Sequence, residues 1–463
     1  MKRFRGRMIG AVSLAAALGA VMATTAAGAP SAEQVPCSVG GPSGLIAAIN
    51  AAKQAGGGTL DLAAGCTYKL TVADNDTDGG NGLPVLTGRI TIVGGRGTTI
   101  ARGAASDIPE FRILEVAKHA TVSITGVTLT GGKLTDEAAQ GGGIANQGTI
   151  TALTDDRIHG NSAPLGGGVY NIGRIHELSR DVITRNHAGN GGGVANLGRI
   201  DRFTADEVSQ NAAGIGGGIT NGGAIADLSG STISDNHLTN NGAGGGIANS
   251  FGALNMSDDV VSGNTATAGP QASGGGIDNS GRLTLRRTVI KNNVAEGVGG
   301  GIRNEEQADK QFVFTIKSVI VTGNTVTSSK GPATGGGIYN AGEMTINVGV
   351  VADNHARTES GRAVGAGIYN GDTLTLTKVA IGENVAHDPG GVAEGGALYV
   401  DKGSKETTLH RSAIRGNAAV GAEAHGGGIL WAGGKKVQLL ETVVLKNRPD
   451  DCYPHGKVRG CVS

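Results

Sequence analysis

Gly141-Gly142-Gly143-Ile144-Ala145-Asn146 returns in near copies beginning at Gly166, Gly191, Gly216, Gly244, Gly274, Gly299, Gly335, Gly365, Gly395 and Gly426. The spacing is 25 residues at first and lengthens to about 30. Each copy is followed by an Ile or Val three residues before an Asn, from Ile158 and Asn161 in the first to Val444 and Asn447 in the last. A fixed period in this range marks a solenoid, in which each repeat buries its apolar face by stacking on its neighbours.

Composition decides between helix and strand. Glycine supplies 84 of 463 residues and clusters once per repeat, which excludes a helical repeat by propensity and collagen by spacing. The chain is 38% hydrophobic with its apolar residues in register, which argues against disorder. Within Gly-Gly-Gly-Ile-x-Asn, period-two alternation sends Ile and Asn to one side and x to the other. A second apolar position six residues on (Ile150, Ile175, Ile200) gives another strand, and Ile/Val-x-x-Asn a third. Three short strands per repeat describe one coil of a triangular parallel β-helix. Inward Asn residues are costly unless paired, and stacked one per coil they can form asparagine ladders, from Asn146 to Asn370 in the first column. The last two coils are read as replacing that column with Val400 and Ala432. Length varies between each Asn and the next glycine triplet, so one edge of the scaffold is free to vary.

The ends differ from the repeats. Lys2, Arg3, Arg5 and Arg7 precede an uncharged run from Met8 to Ala23, which reads as a secretory signal peptide over residues 1–27. No other run is long enough to cross a bilayer. Without the leader, 35 basic side chains face 39 acidic ones, a balance near −4 that does not invite nucleic acid. Residues 28–82 form an N-terminal cap. In it a helix runs from Ser43, which can cap it, to Gly56, which ends it, with Leu45, Ile46 and Ile49 on one face. Coils occupy 83–447 and a loop cap 448–463. Cys37 with Cys66, and Cys452 with Cys461, read as two disulfides that staple the two ends of an exported chain.

Ala47-Ala48-Ile49-Asn50-Ala51-Ala52 with Gly56-Gly57-Gly58-Thr59-Leu60 resembles the entry to pectin-lyase-like right-handed β-helices. The Gly-Gly-Gly-Ile-x-Asn and Ile-x-x-Asn repeats look like those of the chlamydial polymorphic outer membrane protein type. The resemblance implies an all-β, right-handed parallel β-helix of roughly thirteen coils, a rod on the order of 60 Å long. It implies less about activity, because pectate lyases, polygalacturonases, phage tailspikes and adhesins share that fold. The nearest approach to the Gly-His-Gly of polygalacturonases is Ala424-His425-Gly426, and no lyase constellation of carboxylates with an arginine base stands out.

Three constellations are candidates for chemistry. Asp74 to Gly80 is reminiscent of a calcium loop, but Pro84 and Val85 stand where an EF-hand has its glutamate, so a solvated turn is the first reading. Asp156, Asp181 and Asp206, joined by Asp259, fall in one column five residues before the Asn; turn chemistry is favoured over calcium or catalysis. The x position is read as an outward aromatic row in the last four coils, Tyr339, Tyr369, Tyr399 and Trp431, which could stack on sugar rings or form a structural stack under the loops. Histidines such as His187, His237 and His355 are expected at the surface. The sequence is therefore read as a secreted or cell-surface protein binding a polysaccharide or a surface protein through Tyr339, Tyr369, Tyr399 and Trp431, without a cofactor, metal or catalytic residue. A polysaccharide lyase or hydrolase and a structural envelope protein are the alternatives.

Overall fold

The computed structural model describes residues 32–37, 42–306, 314–329, 331–359 and 361–461. The leader read over residues 1–27 lies outside them, and among the described residues no helix is long and apolar enough to cross a membrane.

The repeat is a coil of a parallel β-solenoid. In the first full coil the strands are Ile144–Asn146, Thr149–Thr154, Arg157–His159 and Ser162–Leu165. Each pairs in parallel with the strand one coil later, as Ile144 with Val169, Thr149 with Arg174, Arg157 with Val182 and Ser162 with His187. The offset is the sequence period, so each inward side chain meets its equivalent above and below. The eleven glycine-motif strands, with Leu114–Val116 before them and Cys452–Tyr453 after, build a 13-stranded sheet, which sets the number of turns at about thirteen. The next two segments of each coil share a 27-stranded sheet.

The expected three strands per repeat are one too few. The variable edge also forms strands, gathered in a 12-stranded sheet. The reason is a buried apolar residue two positions after the Asn, alanine in most coils (Ala163, Ala188, Ala213, Ala266, Ala295, Ala356, Ala386 and Ala419) and Leu238 or Val326 in two others. From Leu238 onward they join a second apolar cluster between this edge and the body of the coil. The main core holds the Ile, Leu and Val columns of the other two sheets.

Both asparagine columns form ladders. Asn211 donates through its backbone N–H and its Nδ2 to Asn236 Oδ1, both at 3.0 Å, and through Nδ2 to Ile183 O at 2.9 Å. Its own Oδ1 accepts from Asn186 N and Nδ2. Every polar atom of the buried amide is thereby satisfied. The ladder ends where Asp451 Oδ1 takes the place of the next Asn, accepting from Asn447 N at 2.9 Å and Nδ2 at 2.8 Å. In the other column, Asn146 to Asn370 are joined by Nδ2-to-Oδ1 bonds such as Asn171 to Asn196 at 2.7 Å.

At the N-terminal end the helix spans Ser43–Gln54, with Leu45, Ala48, Ile49 and Ala52 buried. Pro42, one residue before Ser43, holds the N-cap position in a helical conformation, and its carbonyl receives Ile46 N–H at 2.9 Å. The glycine stop is where the sequence puts it, with Gly56 at φ +77° directly after the last turn. The exposed strand edge is covered by Glu33–Val35, which pairs with Leu60, Asp61 and Leu62. Both disulfides form as read, Cys37 with Cys66 and Cys452 with Cys461.

Candidate functional site

The x position of the glycine motif is one unbroken register column. Its later members are Asp278, Arg303, Tyr339, Tyr369, Tyr399, Leu430 and Tyr453. Trp431 is not among them. Gly426-Gly427-Gly428-Ile429 fixes the count, which places Leu430 beside Tyr399 and Trp431 beside Val400, in the former asparagine column. Alternation then turns the indole inward, where it packs against the main core and donates from Nε1 to Lys435 O at 3.1 Å. The same count makes Trp431, and not Ala432, the residue in that column.

The three tyrosines stack on one another. Tyr339 and Tyr369 have ring centroids 4.9 Å apart and are parallel within 1°, while Tyr369 and Tyr399 are 5.5 Å apart at 8°. Tyr399 is buried against Val364 and Leu430, and Arg362 lies over its ring at 6.0 Å. Both faces of Tyr369 are therefore occupied by neighbouring rings. The row turns ring edges and hydroxyls outward, with Tyr339 and Tyr369 half-buried and Tyr399 buried, and the sugar-stacking geometry read from the sequence does not apply to its centre.

Charged groups border the row. Arg303 pairs with Asp278 at 3.0 Å and with Glu305, and Asp278 also accepts from the Ser273 hydroxyl at 3.0 Å. Arg362 pairs with Glu394 and donates to the Tyr399 hydroxyl at 3.5 Å. Burial, followed by the charge of Asp401, raises the Tyr369 phenol; burial also raises those of Tyr339 and Tyr399, against the pull of Arg303 and Arg362. The phenols are neutral hydroxyl donors over the physiological range. Tyr453, which no motif in the sequence singles out, extends the column beyond Leu430 and stacks on His425 at 4.2 Å.

The aspartate column is built for turns. Val127 N–H donates to Asp156 Oδ1, Asp156 N–H to Asp181 Oδ1, and Asp181 N–H to Asp206 Oδ1, each at 2.7 Å. Asp259 Oδ1 accepts from Ser231 N–H at 2.8 Å. The second oxygen of each carboxyl is buried with no partner. Desolvation pushes Asp206 and Asp259 up to about 8, and raises Asp156 and Asp181, which also repel each other. Burial favours the neutral form of these groups in the fold, and they ionise freely when it opens. Their stabilising contribution is complete below the ordinary aspartate range and is lost as pH rises through about 8. The thermal midpoint is expected to be higher at pH 5 than at pH 9. Asp206→Asn, which keeps an Oδ1 for Asp181 N–H, is expected to raise the pH 9 midpoint and flatten the dependence. An unchanged profile in a melting series from pH 5 to 9 contradicts this account.

The acidic loop is closed by its own side chains. Asn81 Nδ2 donates to Asn75 Oδ1 at 2.9 Å, Thr77 O at 2.8 Å and Gly79 O at 3.1 Å, and Arg112 donates to Asp78 O at 2.7 Å. Oxygens of Asn75, Thr77, Asp78 and Gly79 are thereby engaged by donors of the protein itself. Arg112 in turn forms a buried pair with Glu115 at 2.5 Å. Among the described residues no group of three His, Cys, Asp or Glu side chains is placed to hold a metal. His187 and His237 are exposed as expected, whereas His355 is half-buried with Nδ1 unpartnered, and burial lowers its pKa.

No protein-family model matches the chain, and no curated protein matches it. Among solved structures it is similar to a mutant tailspike protein of E. coli bacteriophage HK620, at 11% identity and a TM-score of 0.32, over 88% of this chain and 75% of that one.

Proposed function

We propose that this is an exported, non-catalytic glycan-binding protein, and that a polysaccharide lies along the row of phenol edges formed by Tyr339, Tyr369 and Tyr399. The observation that carries the reading is the row itself: three stacked rings on successive coils, 4.9 and 5.5 Å between centroids, align their hydroxyls, that of Tyr369 shared with Asp401 and that of Tyr399 with Arg362. Arg303, Glu305, Arg362 and Glu394 supply further donors and acceptors on either side. A rigid line of neutral hydroxyls flanked by paired charges suits a polyhydroxylated chain, because it exchanges hydrogen bonds without needing a ligand of one charge. Stacking removes the rotamer freedom that binding would otherwise have to freeze.

Export is supported by the leader read at residues 1–27 and by the two disulfides. On the general preference of parallel crossovers the solenoid is right-handed. The non-catalytic reading rests on where the carboxyls lie. Of those with raised proton affinity, Asp156, Asp181, Asp206 and Asp259 are buried in turns of the long sheet, and Glu115 is buried against Arg112 near the N-terminal end, coils away from the tyrosines. Glu305 and Glu394, beside the row, are each bound to an arginine, Arg303 and Arg362.

The test is a glycan array probed with the purified chain and with Tyr369→Phe. That variant keeps the ring stack and removes one hydroxyl. Selective binding by the parent, weakened about tenfold in Tyr369→Phe at an unchanged melting temperature, is the expected result. Silence across the array, or equal binding by both proteins, overturns the proposal.

A further inference from the structure

The two ends of the long sheet are finished differently. At the N-terminal end the strand Glu33–Val35 pairs with the first coil, and the helix Ser43–Gln54 packs beside it. At the C-terminal end the cap serves the other sheets: Cys452–Tyr453 pairs with the glycine-motif strand Ile429–Trp431, and Arg448 bridges Ala418 on the variable edge. Two strands end the long sheet, Val437–Leu440 and Val443–Leu445; the first pairs with Glu406–His410 on one side, and among the described residues no strand pairs with its other side. Leu440 O accepts from Arg411 N–H, so Leu440 and Gln438 face the strand already paired. By alternation, the N–H and C=O groups of Val437 and Leu439 point the other way.

That free edge opens on a groove of about 930 Å³ that runs between Val437–Leu440 and Arg459-Gly460 of the cap. Three cations line it, Lys435, Lys436 and Arg459, against one carboxylate, Glu406. The outward side chains of this coil are unusually apolar, Leu440 and Val443 each being 48% exposed.

We infer that this edge accepts an added β-strand, supplied by an extended, acidic segment of another protein. Main-chain hydrogen bonds to Val437 and Leu439 would provide the pairing, carboxylates would meet Lys435, Lys436 and Arg459, and an apolar residue would cover Leu440. A second copy of this chain fits less well through the same edge, because two copies joined there would set these three cations against their equivalents. The partner surface is distinct from the tyrosine row, so the two activities can be lost separately.

The experiment uses the full chain and a fluorescein-labelled peptide of four Val-Glu repeats, with a Val-Lys peptide beside it, read by fluorescence anisotropy. The Val-Glu peptide is expected to saturate, and the Val-Lys peptide to bind at least tenfold more weakly. The double variant Lys435→Glu/Lys436→Glu, both residues being exposed and outside the strand, is expected to melt normally and to reverse that preference. N-methylating alternate peptide nitrogens is expected to abolish binding in one parity and spare it in the other, because a paired strand uses only every second N–H on a given side. The inference is overturned if neither peptide binds, if both bind equally, if the two N-methyl parities behave alike, or if the chain self-associates at this edge without peptide.

Discussion

Gly167→Ala is expected to cost on the order of 4 kcal/mol or more and to leave little folded protein. A methyl group at this position would lie 2.5 Å from His187 O, 2.6 Å from Gly192 O and 2.8 Å from His187 N. All three atoms are backbone, in the edge strand and the glycine triplet of the next coil, so no side chain can swing aside to make room. The triplet is where the edge strand closes onto the start of its own coil. Gly230→Ala is the control, because Gly230 has φ +63° and a methyl group there would meet nothing within 4 Å. It is expected to cost only about 1–2 kcal/mol, the strain of a left-handed residue. Denaturation midpoints of the two variants compare close approach with conformational strain, and equal losses would contradict the packing argument.

Asn236→Leu is expected to cost on the order of 3–5 kcal/mol, despite adding apolar volume to a buried site. Asn236 Oδ1 accepts from Asn211 N and Nδ2, both at 3.0 Å. Its Nδ2 donates to Val208 O at 2.9 Å and to Asn264 Oδ1 at 2.9 Å. Leucine would strand these groups without water, and each buried unsatisfied partner costs about 1–3 kcal/mol. The protein itself shows the requirement. Where Val400 ends the other ladder, Asn370 Nδ2 is taken up by Ser404 Oγ at 3.0 Å and Thr407 Oγ1 at 2.9 Å. A thermal midpoint within a degree or two of the parent would show that the ladder is dispensable.

The solenoid is legible in the sequence because its signals repeat in phase. Glycine triplets, Ile or Val and Asn recur together along the chain, and a register error in one copy is exposed by the others. The edge strands escape that pattern because their signal is weak: an alanine two residues past the Asn carries little strand propensity, and its burial depends on the coil it packs against. Trp431 falls one residue out of the expected register, since Ile429-Leu430-Trp431 offers two large apolar residues and only the pairing of Leu430 with Tyr399 says which belongs to the row. Tyr453 has no glycine triplet ahead of it to reveal that it continues the column. Face-to-face stacking, which turns the candidate site from ring faces to hydroxyl edges, depends on side-chain rotamers that periodicity does not determine.

The reading that ties fold to function is that the phenol edges of Tyr339, Tyr369 and Tyr399 form the glycan subsite. A crystal structure of the chain with the oligosaccharide it selects on the array tests this most directly. The account predicts sugar hydroxyls within hydrogen-bond distance of the Tyr339 and Tyr369 phenols and of Arg303 or Arg362. A sugar bound on the long sheet, with the tyrosine row bare, would contradict it.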